Sequence, residues 1–349
     1  FGAPASALKL NWTLTTRSGF FRPLPGYQIG DWDSSWMMPR RFASYMEDYS
    51  LSGKYITGGE AQTSADGLVN ITVPASLLKE NASSTNRQEL ILEVTVTDES
   101  ESRVSARGSA TLHPADFYIG IKPEVWSGQA KKPIGYTIQT FDWKGGASGN
   151  HVLKATFQKV TWKEIENWQP GVGSLFEAVF TPVATTDFKT DAQGKARLEF
   201  TPPEAGTYQL EVKGEGADSK SLLWVGGEGR APWPKLPDQH LQMQLDAEEY
   251  SVGQSARIFI PNPLGEKTLA LVTVERSKVM KAEVVVINGN NYEFTLPILA
   301  DYAPNAYVSV TLLGKTDGVA DFRQGIAQLN VKADALKLQV EVTADPTRA

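Results

Sequence analysis

The sequence predicts an all-β chain of tandem antiparallel β-sandwiches with little helix, and three observations carry that expectation. First, one turn-and-strand phrase recurs. Ala65-Asp66-Gly67 leads into Leu68-Val69-Asn70-Ile71-Thr72-Val73-Pro74. Asp191-Ala192-Gln193-Gly194 leads into Lys195-Ala196-Arg197-Leu198-Glu199-Phe200-Thr201-Pro202, and Asn288-Gly289-Asn290 into Asn291-Tyr292-Glu293-Phe294-Thr295-Leu296-Pro297. Glycine reaches positive φ without strain, which suits the turn. Proline cannot donate to a ladder, which ends the strand. Second, a β-hairpin follows each copy. Third, the alternating segments fall at sandwich spacing, about seven to a full unit. Three copies in a row make three related units.

Taken in order, the first unit holds strands at 90–97 and 103–112 around the polar turn 98–102. The second opens with strands at 117–123, 133–143 and, after the loop 144–150, 151–159. It closes with 208–213 and 221–225 around a turn at 214–220. The third opens at 241–247, 256–261 and 268–275, and closes with 306–313 and 321–331 around 314–318. The first unit lacks two opening strands, because residues 2–10 align with 146–154. Residues 336–342 read as the first strand of a fourth unit, with Leu336, Leu338, Val340 and Val342 on one face. Helix is confined to a short candidate at 40–49, with Phe42, Tyr45, Met46 and Tyr49 on one face. It lies in an insertion, 23–55, that also holds Trp32 and Trp36. A second insertion, 162–180, holds Trp162, Trp168 and Phe176.

These boundaries give a first domain at 1–115, N-terminally truncated and carrying the insertion 23–55, and a second at 116–237. A third covers 238–333, and 334–349 is the truncated start of a further one. Linkers fall at 113–116 and 226–238. The second contains Gly226, Gly227, Gly229, Pro232, Pro234 and Pro237, so it is stiffer than a Gly/Ser tether. It is also where proteolytic nicking is expected first. The chain opens without Met or a leader and reads as a window on a longer array.

Of 349 residues, 41% are apolar, enough for a core in each unit. No run approaches the ~18 apolar residues of a membrane-spanning helix. The net charge is −6 and the basic residues are scattered, which argues against nucleic acid. Nine Trp are core material in a β protein. With no cysteine, disulfides, thiolate metal ligands and a cysteine nucleophile are excluded from this chain. That suits the cytosol or a bacterial periplasm.

The candidate sites are few. His113, His151 and His240 lie in different units, at linkers or strand starts, which suits solvent-facing residues better than a metal centre. Asp31 and Asp33 flank Trp32, with Asp48 nearby, but a Ca²⁺ site needs more oxygens from one compact loop. Asp98, Glu99 and Glu101 read as a solvated hairpin tip. Asp191-Ala192-Gln193-Gly194 looks like a cation loop, yet its counterparts share the turn and not the carboxylate, so turn chemistry explains it. Asn11, Asn70 and Asn81 begin glycosylation sequons, which are common by chance. No serine has a histidine and an acid beside it in sequence, and neither a Gly-x-Ser-x-Gly elbow nor a phosphate loop occurs. Trp32, Trp36, Phe42 and Tyr45 have the makings of a sugar-stacking face; local packing over a sandwich edge is the plainer reading.

The third unit carries a specific resemblance. Glu249-Tyr250-Ser251-Val252-Gly253-Gln254-Ser255-Ala256-Arg257 leads into Ile260-Pro261-Asn262-Pro263. Leu271-Val272-Thr273-Val274-Glu275-Arg276 and Pro304-Asn305-Ala306-Tyr307-Val308-Ser309-Val310 follow. This closely resembles the macroglobulin-like domain just before the bait-containing part of bacterial alpha-2-macroglobulins. In the second unit, Asp142-Trp143-x-Gly145, Thr190-Asp191-Ala192-x-Gly194 and Gly206-Thr207-Tyr208 look like other domains of that family. The first unit is similar through its architecture and Ala65-Asp66-Gly67.

The resemblance implies tandem macroglobulin-like (immunoglobulin/fibronectin-III-like) sandwiches from a broad-spectrum bacterial protease inhibitor. In such proteins a protease cuts an exposed bait, the domain array collapses, and a thioester tethers the attacker. The thioester needs Cys-x-Glu-Gln, so it is outside this chain or absent from the parent. The bait is expected downstream, in the unit that opens at Leu336. This chain is then scaffold and not an enzyme, with no catalytic residue, no metal and no cofactor. The implied partners are target proteases, met through other parts of the parent, and neighbouring domains of the same chain. The implied location is the bacterial periplasm or cell surface, with a lipoprotein anchor in the inner membrane and a part in defence. Architecture alone leaves a second reading open, an immunoglobulin-like repeat stalk of a surface adhesin or carbohydrate-binding protein.

Overall fold

A computed structural model describes residues 6–19, 21–31, 53–83, 85–97, 103–165, 176–229, 231–233, 236, 239–265, 267–316 and 318–333. The chain divides into two compact units, 1–225 and 226–349. The expected helix at 40–49, the hairpin tip at 98–102 and the strand at 336–342 lie outside the described residues.

The first unit runs β1 (Lys9–Ser18), β2 (Gln28–Ile29), β3 (Lys54–Gln62), α1 (Ala75–Asn81), β4 (Gln88–Thr97) and β5 (Arg103–Leu112). It continues with β6 (Tyr118–Pro123), β7 (Gly128–Gln129), β8 (Ile134–Phe141), β9 (Val152–Glu164), β10 (Phe176–Lys189), β11 (Lys195–Phe200), β12 (Gly206–Gly214) and β13 (Ala217–Gly226). The second unit holds β14 (Gln244–Leu245), β15 (Ser255–Pro261), β16 (Thr268–Arg276), β17 (Lys278–Ile287), β18 (Asn291–Pro297), β19 (Asn305–Thr316) and β20 (Val319–Asn330). The fold is all-β and antiparallel throughout its named ladders.

One sheet order occurs three times. It is β3-β1-β4-β5, then β10-β9-β12-β13 with β7 on its edge, then β17-β16-β19-β20. The repeat seen in the sequence is therefore a repeat of topology. The facing layer is β11-β8-β6 in the second copy and β14-β15-β18 in the third. Alternation explains which side of each strand is buried. On β9, Leu153, Ala155 and Phe157 point inward and meet Ile119, Ile121, Tyr136 and Ile138 from the facing layer. On β16, Ala270, Val272 and Val274 meet Ala256, Ile258 and Ile260 in the same way. Each fully buried aliphatic side chain contributes roughly 1.5–3 kcal/mol of burial free energy.

The structure corrects several expectations. Residues 68–74 are not a strand. The equivalent β11 and β18 are laddered to β8 and β15; among the described residues nothing plays that part for 68–74. Their alternation survives in burial, with Val69, Ile71 and Val73 half-buried and Leu68 exposed, without a hydrogen-bond ladder. After Pro74 the run Ala75-Ser76-Leu77-Leu78-Lys79-Glu80, rich in good helix formers, makes the unexpected α1. The turn expected at 214–220 is only Glu215-Gly216. Both have positive φ, 52° and 87°, the geometry of a two-residue hairpin loop, so β13 begins at Ala217. At the two ends of the insertion 162–180 the described residues prolong the β9–β10 hairpin, in which Glu164 faces Phe176. In the second unit the strand at 241–247 shrinks to β14, and β17, unrecognised in the sequence, edges the larger sheet.

Candidate functional site

Among the described residues of the first unit, a polar construction joins its first sheet to the second sandwich. It is built on residues 28–31, inside the segment read from sequence as an insertion. Gln28 and Ile29 pair with Ile121 and Gly120, so β2 becomes the fourth strand of the layer β11-β8-β6-β2. Gly30 then turns the chain with φ +75°. A Cβ there would sit 2.0 Å from Asn86 Oδ1 and 2.9 Å from Thr85 O, so glycine is required by both conformation and space. The Gly30 N–H donates to Ser219 Oγ at 2.8 Å, and that hydroxyl donates to Ile119 O at 2.6 Å. Lys220 N–H donates to Gly30 O at 2.9 Å. One buried serine thus ties three strands, β2, β6 and β13.

Asp31 completes the joint. Its Oδ1 meets Lys220 Nζ at 2.6 Å and its Oδ2 accepts from Thr85 Oγ1 at 2.8 Å. The carboxylate weighed as a cation ligand is a bridge between β13 and the loop that leads into β4. Asp33 and Asp48 lie outside the described residues, as do Trp32, Trp36, Phe42, Tyr45 and Trp168. Among the described residues no group of three or more His, Asp or Glu is placed to hold a metal ion.

Aromatic contacts reinforce the joint. Phe21 stacks on Tyr118 with centroids 4.1 Å apart, and Tyr27 meets Phe141 edge-on at 5.8 Å. His113 stacks on Trp143 at 4.4 Å, and its Nδ1 pairs with Tyr118 Oη at 2.7 Å. Trp143 Nε1 donates to Ala115 O. The segment 113–116, expected to be a simple linker, is therefore pinned. Burial, aided by the Arg87 charge, holds the His113 pKa below its usual value. Burial pushes the Tyr118 phenol up to about 12.

His151 shows what the sequence did not. Its Nε2 pairs with Ser148 Oγ at 2.8 Å and its Nδ1 with Glu215 at 2.9 Å. Phe117 stacks on the ring at 3.7 Å. The hydrogen-bond order is that of a Ser-His-carboxylate relay, assembled from two loops 64 residues apart. The Ser148-x-x-His151 spacing was the available signal. The other Glu215 oxygen accepts from Val152 N–H at 3.1 Å. Those hydrogen bonds, led by the one from His151, hold its pKa below the usual carboxylate range. The cluster fastens the β12–β13 turn to the start of β9. His240, by contrast, sits in a bridge to Gln324 in the second unit.

The repeated turns prove to be backbone devices. Asp191 Oδ1 accepts from Gln193 and Lys195 N–H, and Gly194 has φ +75°. Ser64 Oγ accepts from Leu68 N–H before Gly67 at φ +72° in the first copy. The sequon residues Asn11 and Asn70 are exposed, and Asn81 Nδ2 donates to Leu77 O.

Residues 241–349 match the sequence model of the alpha-2-macroglobulin bait region domain. The match begins inside the third repeat, upstream of residue 334. The chain is 22% identical over 98% of its length to an alpha-2-macroglobulin homolog from Nostoc sp., and covers 18% of that relative. It thus spans about a fifth of the length of the curated relative it matches. Among solved structures it is similar to the native conformation of Escherichia coli alpha-2-macroglobulin, with TM-score 0.44 and 18% identity over 95% of this chain and 21% of that one. Salmonella alpha-2-macroglobulin reacted with methylamine gives TM-score 0.43 and 18% identity over 95% and 21%. By these two sequence matches, the chain is similar to members of the alpha-2-macroglobulin family.

Proposed function

We propose that this chain is a scaffold segment of a bacterial alpha-2-macroglobulin-like protease inhibitor and is not itself an enzyme. The observation that supports this most is the match of residues 241–349 to the bait region domain. Cleavage of a bait carried in or beyond that region releases a constraint on the array, and domains that share modest polar contacts reorient. On this reading the first two repeats are macroglobulin-like domains at 1–115 and 116–237, with a third at 238–333. The joint at 28–31 makes the first pair move as one body. Target proteases are the partners, met through the rest of the polypeptide, and the setting is the bacterial periplasm or cell surface. Among the described residues no helix is long and apolar enough to cross a membrane, so any anchor to the membrane belongs to this proposal alone.

The test uses the isolated chain. Incubated with trypsin or elastase and a protein substrate, it is expected to leave digestion of the substrate unchanged. Strong protection at an equimolar ratio contradicts the scaffold reading.

A further inference from the structure

The larger sheet of the second unit has an outward face that is apolar. In antiparallel pairing, residues directly opposite share a face. Val286, Leu269, Leu313 and Phe322 are opposite one another in turn, a row that crosses all four strands. Val284 and Leu271 form a second row, and Val279, Tyr307 and Ile326 lie on the same side. These nine side chains are 40–65% exposed, while their neighbours Ala270, Val272, Val310 and Leu312 on the inward face are at most 1% exposed. The registers place only Glu275 and Lys315 as charged groups on this face, one at each end. Between them stand Thr273, Ala282, Ser309, Thr311 and Gln324.

The equivalent face in the first unit is a built-in control. There the outward positions of β9, β10, β12 and β13 include Lys154, Asp187, Glu211, Lys213, Asp218 and Lys220. The same topology thus presents a charged face in one repeat and, in another, an apolar one with charges only at its two ends, so the fold does not dictate the difference.

We propose that this face of β17-β16-β19-β20 is the seat of another domain of the longer polypeptide, which packs an uncharged apolar sheet or loop surface upon it. Size selects that occupant over a second copy of the chain. Four strands about 4.8 Å apart and seven residues at about 3.4 Å each give a patch of roughly 400 Å². That is large for a surface left in water, and about half of what each partner buries in a standard stable complex between free proteins. A tethered domain needs no such area, because the tether supplies a high effective concentration. The chain covers only 18% of its Nostoc relative, so material for such a cover exists in the family. The cover does not require protease trapping, and it can fail while that function stands.

Hydroxyl-radical footprinting read by mass spectrometry, on the isolated chain and on the full-length polypeptide, tests it. Tyr307, Leu313 and Phe322 are expected to react freely in the isolated chain at every concentration, and several-fold more slowly in the full-length polypeptide. Leu271→Lys in the full-length polypeptide is expected to restore the reactivity of Phe322, with the circular dichroism of the isolated variant chain unchanged. Equal rates in the two wild-type forms overturn the proposal. So does protection in the isolated chain, whether it grows with concentration, which assigns the face to a second copy, or does not. The wild-type comparison stands even if the variant fails to fold.

Discussion

Ser219 and Gly30 carry the joint at the scale of single residues. Removing the serine hydroxyl leaves the buried Gly30 N–H without its acceptor and Ile119 O without its donor, at a cost of about 1–3 kcal/mol. Ser219→Ala is therefore expected to lower the thermal midpoint of the first unit. Gly30→Ala adds a left-handed residue with a Cβ, about 1–2 kcal/mol, and must also displace Asn86. Midpoints equal to wild type for both variants would remove the joint from the account. His113 adds a pH dependence. Its pKa is lowered in the fold from 6.5, chiefly by burial, so the unfolded chain binds more protons as pH falls. The stability it contributes is present above about pH 6.5 and is lost on acidification toward the lowered value. His113→Phe keeps a ring against Trp143 and is expected to flatten the fall in midpoint between about pH 7.5 and about pH 5.5. An equally steep fall in the variant contradicts this. Ser148 is read as part of a strut, and a fluorophosphonate probe is expected to leave it unlabelled. Labelling that disappears in His151→Ala would make it a nucleophile.

At the scale of elements, period-two alternation made most strands legible, and the Gly-containing turns made the repeat legible. What stayed hidden depends on partners far away in sequence. Residues 68–74 have the pattern of a strand and no ladder, because a strand needs a neighbour as well as a pattern. β2 is two residues long, too short for any pattern, and exists because it pairs with β6. The Ser148-His151-Glu215 cluster was only half legible for the same reason, since Glu215 arrives through the fold. The segment 226–238 shows the converse. Its glycines and prolines announce a linker, yet Trp233 and Leu236 are buried, and Asn290 Nδ2 donates to the carbonyls of Gly227 and Gly229 at 2.8 Å each. Trp233 Nε1 donates to Asn290 O. Asn290→Ala strips the two glycine carbonyls of their donor. It is expected to speed cleavage within 226–233 by a broad-specificity protease, read as peptide masses in limited digestion. An unchanged rate would mean that the side chain does not hold this segment.

At the scale of the whole molecule, three sheets share one topology and residues 28–31 join the first to the second; the proposed function makes them stiff bodies that a larger assembly rearranges. The most direct measurement is small-angle scattering of the full-length polypeptide before and after trypsin, with the fragments identified by mass. The account predicts cleavage outside the strands described here, a fall in radius of gyration, and retention of the protease with the cleaved protein. Cleavage without compaction, or first cuts within β15 to β20, would contradict it.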